Sequence, residues 1–135
     1  MTDSLRQLRL SILSESYAIV RLRPDDRVPV WATGGPFFSV TRTADELSVV
    51  VGESRVPAGV QSQSGWRAIK VEGPFALSEI GVLASLAAPL AAAKISLFVL
   101  STFDTDYLLV AAQNLPAAIA VIESAGHVFS HGTST

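Results

Sequence analysis

Two short stretches of this chain carry residue types that could recognise a charged small molecule. The first is the polar turn Ser101-Thr102-Phe103-Asp104-Thr105-Asp106, set inside ISLFVLSTFDTDYLLV at residues 95–110. Asp104 and Asp106 lie close enough to share a cation, and Phe103 just before them offers a ring face. Asp is also an ordinary turn residue, because its carboxylate can bond the backbone two residues on. The second stretch is Ser78-Glu79-Ile80-Gly81-Val82-Leu83. It reads as a helix start, with Ser78 as the N-cap and Glu79 favoured by the helix dipole. Free N–H groups at such a start attract anions, and Gly81 lets a ligand come close to the backbone. Together, a positive helix end and a carboxylate rim would match a zwitterion. Pairing of two units, side by side or about a two-fold axis, would bring them together.

Other chemistries find little support. There is no cysteine, which removes thiolate catalysis, disulfides and Cys-ligated metals. There is no G-x-S-x-G, and the only histidines are His127 and His131, so no base can be placed beside a serine. His127 reads as a favourable contact at a helix end. His127 and His131 share an i, i+4 spacing, but Gly126 ends the helix before them, and no D-x-D-x-D-G loop accompanies Asp104 and Asp106. No metal site and no cofactor are expected, and no Walker A or G-x-G-x-x-G motif is present. The net charge of −2 argues against nucleic acid. The nearest basic cluster, Arg21, Arg23 and Arg27, has Asp25 and Asp26 inside it and reads as a solvated loop.

The elements that must position these residues follow from periodicity. The chain has 135 residues, 49% hydrophobic and 16% charged, enough for one domain or two very small units sharing a core. Strands are predicted at 16–22, 37–43, 47–53 and 66–73, with the polar, turn-rich segment 54–65 as the boundary between halves. A helix follows from Ser78, with Ile80, Leu83, Leu86, Ala87, Leu90 and Ala91 on one face and a kink at Pro89. Strands at 95–102 and 106–113 pair as a hairpin. A second helix spans 114–127, with Asn114 as N-cap, Pro116 in the first turn and Gly126 as the stop. A short strand at 128–130 precedes a frayed tail, HGTST. From Trp66 onward the order is therefore β-α-β-β-α-β, the ferredoxin-like order. Ile80–Leu100 is long enough to span a membrane, but Lys94 and Pro89 interrupt it and its character changes from Ala/Leu-rich to strand-like. No membrane span is expected. The N-terminus carries no secretory signal, and a cytoplasmic setting follows.

The run GVLASLAAPLAAAKISLFVLSTFDTDYLLV (81–110) resembles the ACT-domain amino-acid sensors of the CASTOR type and their small bacterial relatives. FFSVTRTADELSVVV (37–51) and YAIVRL (17–22) resemble that group too. The resemblance covers about residues 10 to 127 and is most specific in the C-terminal run. It implies an α+β fold of two ACT-like βαββαβ units packed together, 1–65 and 66–135, the first irregular and strand-rich. It also implies an amino-acid ligand held between ACT units. The ligand's ends would be held by backbone at Ile80, Gly81 and Val82 and at Ser96 and Leu97. Asp106 occupies the family's cation-contacting position in the run Ser101–Tyr107, with Asp104 beside it. Thr102 and Phe103 stand where backbone or ring contacts are made. Lys94 departs from the family pattern, standing where relatives often carry Gly. The chain is half the length of the long sensors, so a site built between halves implies a homodimer.

Three functions of different class are thus on the page. One is a non-catalytic amino-acid sensor that dimerises. Another is a ligand-independent interaction module regulating a metabolic enzyme. The third is a transferase using Asp104 or Asp106 as base, disfavoured by the missing partner groups.

Overall fold

Leu10 and Leu13, then Tyr17, Ala18 and Val20, are all buried, and they belong to one long strand rather than a short one. In the computed structural model, which describes residues 7–72 and 81–134 (131–134 as backbone only), this strand, β1, spans Arg9–Leu22. After it come a 3-10 turn at Val30–Thr33, β2 (Ser39–Arg42), β3 (Leu47–Gly52) and β4 (Ser62–Val71). Then follow α1 (Val82–Ala92), β5 (Phe98–Ser101), β6 (Asp106–Ala111), α2 (Leu115–Ser124) and β7 (Val128–Ser134). The chain divides into two compact units. One contains Glu15–Trp66; the other contains the chain up to Ser14 together with Arg67–Ser134. The first half of β1, placed by sequence in a 1–65 unit, is grouped with the C-terminal unit.

The C-terminal unit keeps the expected order β4-α1-β5-β6-α2-β7, with one change of pairing. In a ferredoxin-like unit the last strand lies beside the first. Here β1 stands between them, giving β7-β1-β4-β6-β5. The Glu72 N–H donates to the Arg9 carbonyl at 2.8 Å, and β7 pairs in parallel with β1. Arg9 faces Val128 and Leu10 faces Phe129; after a register shift, Ile12 faces Thr133 and Leu13 faces Ser134. The tail expected to fray is therefore strand. Its polar residues give no periodic signal, but ladder bonds are made by backbone, whatever the side chain. Both helices pack on one sheet face. Leu86 and Leu90 of α1 and Ala118 and Ile122 of α2 meet Ile69, Val71, Leu108 and Val110, the alternate residues of β4 and β6.

The N-terminal unit has no α-helix. β2 and β3 form an antiparallel hairpin, and β3 pairs antiparallel with β1 from Tyr17↔Gly52 to Leu22↔Leu47. Thr43 turns the hairpin by accepting from the N–H groups of Asp45 and Glu46, both at 3.1 Å. Trp31 and Val60 close a small core of Ala18, Val20, Ala32, Val49 and Val51.

The helix ends differ in how they are made. The expected cap residues Ser78 and Glu79 lie outside the described residues, and α1 begins at Val82 after Gly81 in the left-handed conformation, φ 85°. At the other end Lys94 takes the left-handed position, φ 62°, that Gly126 fills after α2 at φ 103°. The bonding is the same in both. Lys94 donates to Ala91 at 2.9 Å and Ile95 to Leu90 at 3.0 Å; Gly126 donates to Glu123 at 2.9 Å and His127 to Ile122 at 3.3 Å. Lysine thus closes α1 as glycine would, against a steric cost of about 1 kcal/mol. Lys94→Gly is expected to stabilise the chain by about that amount and to raise its thermal midpoint by about 3 °C. An unchanged or lower midpoint would refute it.

Candidate functional site

Ser101 and Asp106 face each other as the last register pair of the β5–β6 hairpin. The Ser101 hydroxyl donates to Asp106 Oδ1 at 2.6 Å. Inside the loop, the Thr102 N–H and hydroxyl both donate to the Thr105 carbonyl, at 2.8 and 3.1 Å. The Thr105 N–H returns a bond to Thr102 Oγ1 at 3.2 Å. The Thr105 hydroxyl donates to the carbonyl of Val71, the last residue of β4. The hydroxyls of Ser101 and Thr102 are thus spent on the turn itself, and that of Thr105 ties the turn to β4. Asp106 is held by Ser101, whereas Asp104 is not.

What the turn leaves over is specific. Asp106 is half-buried and oriented by Ser101 through one oxygen, which leaves Oδ2 open to a further donor. Asp104 is exposed and bonds no described residue, and Phe103, just before Asp104, is 79% exposed. An oriented carboxylate beside an open ring face suits an ammonium or guanidinium group.

The start of α1 is the complementary feature. Among the described residues no side chain caps it. Gly81 is exposed, and a methyl added there would meet nothing within 4 Å. The first N–H groups of α1 have no intrahelical partner, as at any helix start. Val82 packs on the core of the unit, as does Leu97. Ile80 lies outside the described residues.

The sequence-predicted residues do not all gather in one place. Ser96 is exposed and Leu97 partly buried, and both precede β5, whereas Thr102–Asp106 follow it. Four strand residues separate the two groups by about 16 Å. No described hydrogen bond joins Asp104 or Asp106 to Gly81 or Val82. Thr105 was not singled out in the sequence, although its hydroxyl anchors the turn to the strand end from which the chain leaves toward α1. Its only sequence signal is its place between the two aspartates. His127 is also placed differently from the expectation. It is buried, and its Nδ1 accepts from the Leu8 N–H at 3.0 Å, tying β7 to the entry of β1 instead of serving the helix end. Among the described residues no group of His, Asp and Glu could hold a metal ion, and no helix is long and apolar enough to cross a membrane.

Comparison with known proteins follows the same division of the chain. The family model for the ACT domain matches residues 61–124, and a model for an N-terminal domain matches residues 15–59. The chain is 33% identical over 106 residues to the cytosolic arginine sensor for mTORC1 subunit 1 of Bos taurus, covering 68% of this chain and 32% of that one. It spans about a third of the length of such curated relatives. Among solved structures, protein Atu0741 of Agrobacterium tumefaciens is 41% identical with a TM-score of 0.88, over 96% of this chain and 98% of that one. Aspartokinase alpha and beta subunits match in fold alone, at 16% identity and a TM-score of 0.62, over 89% of this chain and 98% of theirs.

Proposed function

We propose, from the match of residues 61–124 to the ACT-domain family model, that the chain is an amino-acid-responsive regulatory protein of the cytoplasm with no catalysis of its own. The observation that carries this reading is the Ser101–Asp106 pair. It presents a fixed carboxylate at the tip of the β5–β6 hairpin, inside the stretch matched by the ACT model. In the proposed site Asp106 holds the ligand's cationic group, with Asp104 and Phe103 at its rim and the Thr102 backbone beside it. The ligand's carboxylate takes the backbone N–H groups of Ile80, Gly81 and Val82. Ser96 and Leu97 contribute backbone from the neighbouring ACT unit of a second copy, which accounts for their distance from the turn in one chain. The working form is therefore a homodimer. A ligand at such a junction binds one packing of the copies better than another, and that difference in affinity is the signal.

The test is a thermal-shift screen of the whole chain against the standard amino acids, arginine first because the curated relatives are named as arginine sensors. A ligand at about 100 times its Kd adds about 2.7 kcal/mol, a shift of several degrees. A clear shift with one or a few amino acids supports the sensor. A folded dimer that shifts with none of them sinks it, and leaves the ligand-independent regulator of a metabolic enzyme as the better reading.

A further inference from the structure

The N-terminal unit contains a cavity of its own. Its volume is about 380 Å³, in the range of small-molecule sites. One side is the end of β1 and the turn after it, Arg21 to Asp26; the other is Gly59–Gln61, which leads into β4. Leu22 and Val60 supply apolar wall and also pack on the unit's core, so the wall is supported from behind.

The charged groups around this cavity are not equivalent. Arg21 is committed: its guanidinium lies 3.1 Å from Glu46 and donates to the Asp45 carbonyl at 3.3 Å. Arg23 has only Asp25 near it, at 4.0 Å, with both side chains about four-fifths exposed (80% and 78%). It is the Arg23 N–H, not its guanidinium, that donates to Asp26 Oδ2, at 3.0 Å. Asp26 Oδ1 has no hydrogen bond or ion pair with a described residue, and no described ion pair joins Arg23 to Asp26. A cation and a carboxylate therefore line one cavity without neutralising each other. The turn that carries them is held firmly. The Asp26 N–H donates to the Arg23 carbonyl at 3.1 Å. The Arg42 guanidinium reaches across to the carbonyls of Pro24 and Asp26.

We propose that this cavity is a second binding site, specific for a small zwitterion of amino-acid size. The ligand's carboxylate pairs with the Arg23 guanidinium, its ammonium with Asp26 Oδ1, and its apolar part lies on Leu22 and Val60. Every residue involved belongs to Glu15–Trp66, so the site does not depend on the β5–β6 turn.

The experiment is a titration of the ¹⁵N-labelled full chain with leucine, glycine, acetate and methylammonium, following the amides of Leu22, Gly59, Val60 and Gln61. Leucine is expected to shift these amides at lower concentration than glycine, and either single-charge probe to bind about tenfold or more weakly. Asp26→Asn is expected to weaken leucine by about tenfold, and Arg23→Gln, whose side chain is largely exposed, by about threefold. Asparagine keeps an acceptor for the Arg23 N–H, so the turn survives the second change. Asp106→Asn is expected to leave these shifts untouched, while the C-terminal site is read separately from the amides of Thr102–Tyr107. The proposal is overturned by any of four results: no shift with leucine or glycine at tens of millimolar, an equal response to acetate alone, leucine affinity unchanged in both variants, or loss of the shifts in Asp106→Asn.

Discussion

Asp106→Asn is expected to abolish the amino-acid response of the C-terminal unit while leaving the fold unchanged. Asparagine is nearly the same shape, and its carbonyl oxygen can still accept from Ser101, so the hairpin closure at 2.6 Å keeps its partner. Only the charge is lost. Truncating one member of a hydrogen-bonded charge pair costs about 2–5 kcal/mol, which places the fall in affinity at about a hundredfold or more. In the thermal-shift assay the ligand-dependent rise should vanish, and the midpoint without ligand should stay within about 2 °C of the parent. Asp104→Asn is the matched control. It removes the same charge two residues away, but from an exposed side chain that nothing orients, so solvent screening limits its effect to about threefold. Equal losses in the two variants would point to general electrostatic attraction and sink the specific role of Asp106. Undiminished binding in Asp106→Asn would sink it outright.

The second large effect is on stability. Leu108 on β6 is fully buried, in the cluster that Leu86, Leu90, Ala118 and Ile122 of the two helices form with Ile69, Val71 and Val110 of the sheet. Leu108→Ala removes three carbons from a site bounded by a strand ladder on one side and helices on the other. Neither can move in to refill the space, so a cavity term adds to the lost transfer energy. The expected cost is about 3 kcal/mol, a fall in thermal midpoint of about 10 °C. Leu108→Met, which nearly conserves volume, should cost less than about 1.5 kcal/mol. Urea denaturation of the three proteins measures both values. A loss below about 1 kcal/mol for the alanine variant would mean that β6 does not sit in the core as described.

Much of the C-terminal unit was legible in the sequence because its signals are local. The hairpin of β5 and β6 follows from two apolar runs around a polar turn. Pro116 in the first turn and Gly126 after the last mark the ends of α2, although Asn114, expected as the N-cap, makes no side-chain cap bond. Helix α1 buries Leu86 and Leu90 of the face its spacing marks. The start of α1 was misplaced for a local reason as well: Ser78 offers a good cap, yet the described helix begins after Gly81. Lys94 was a visible departure from glycine, but only the backbone showed that lysine accepts the same left-handed position.

The candidate sites divide along the same line. The sequence by itself determined which residues could recognise charge, Asp104, Asp106 and the Gly81 region. It also carried the resemblance to ACT-domain sensors, because residue type and spacing within a few positions hold that information. Tertiary structure alone decided the rest. It placed β1 between β4 and β7, through pairings such as Leu8 with His127, 119 residues apart. It showed that the hydroxyls of the turn serve the turn, and that Arg23 and Asp26, which read as a solvated loop, line a cavity with Gly59–Gln61. Such pairings depend on which distant segments share a ladder or a wall. Side-chain patterns within one segment do not encode that, because the bonds that settle it run between backbone groups every residue carries.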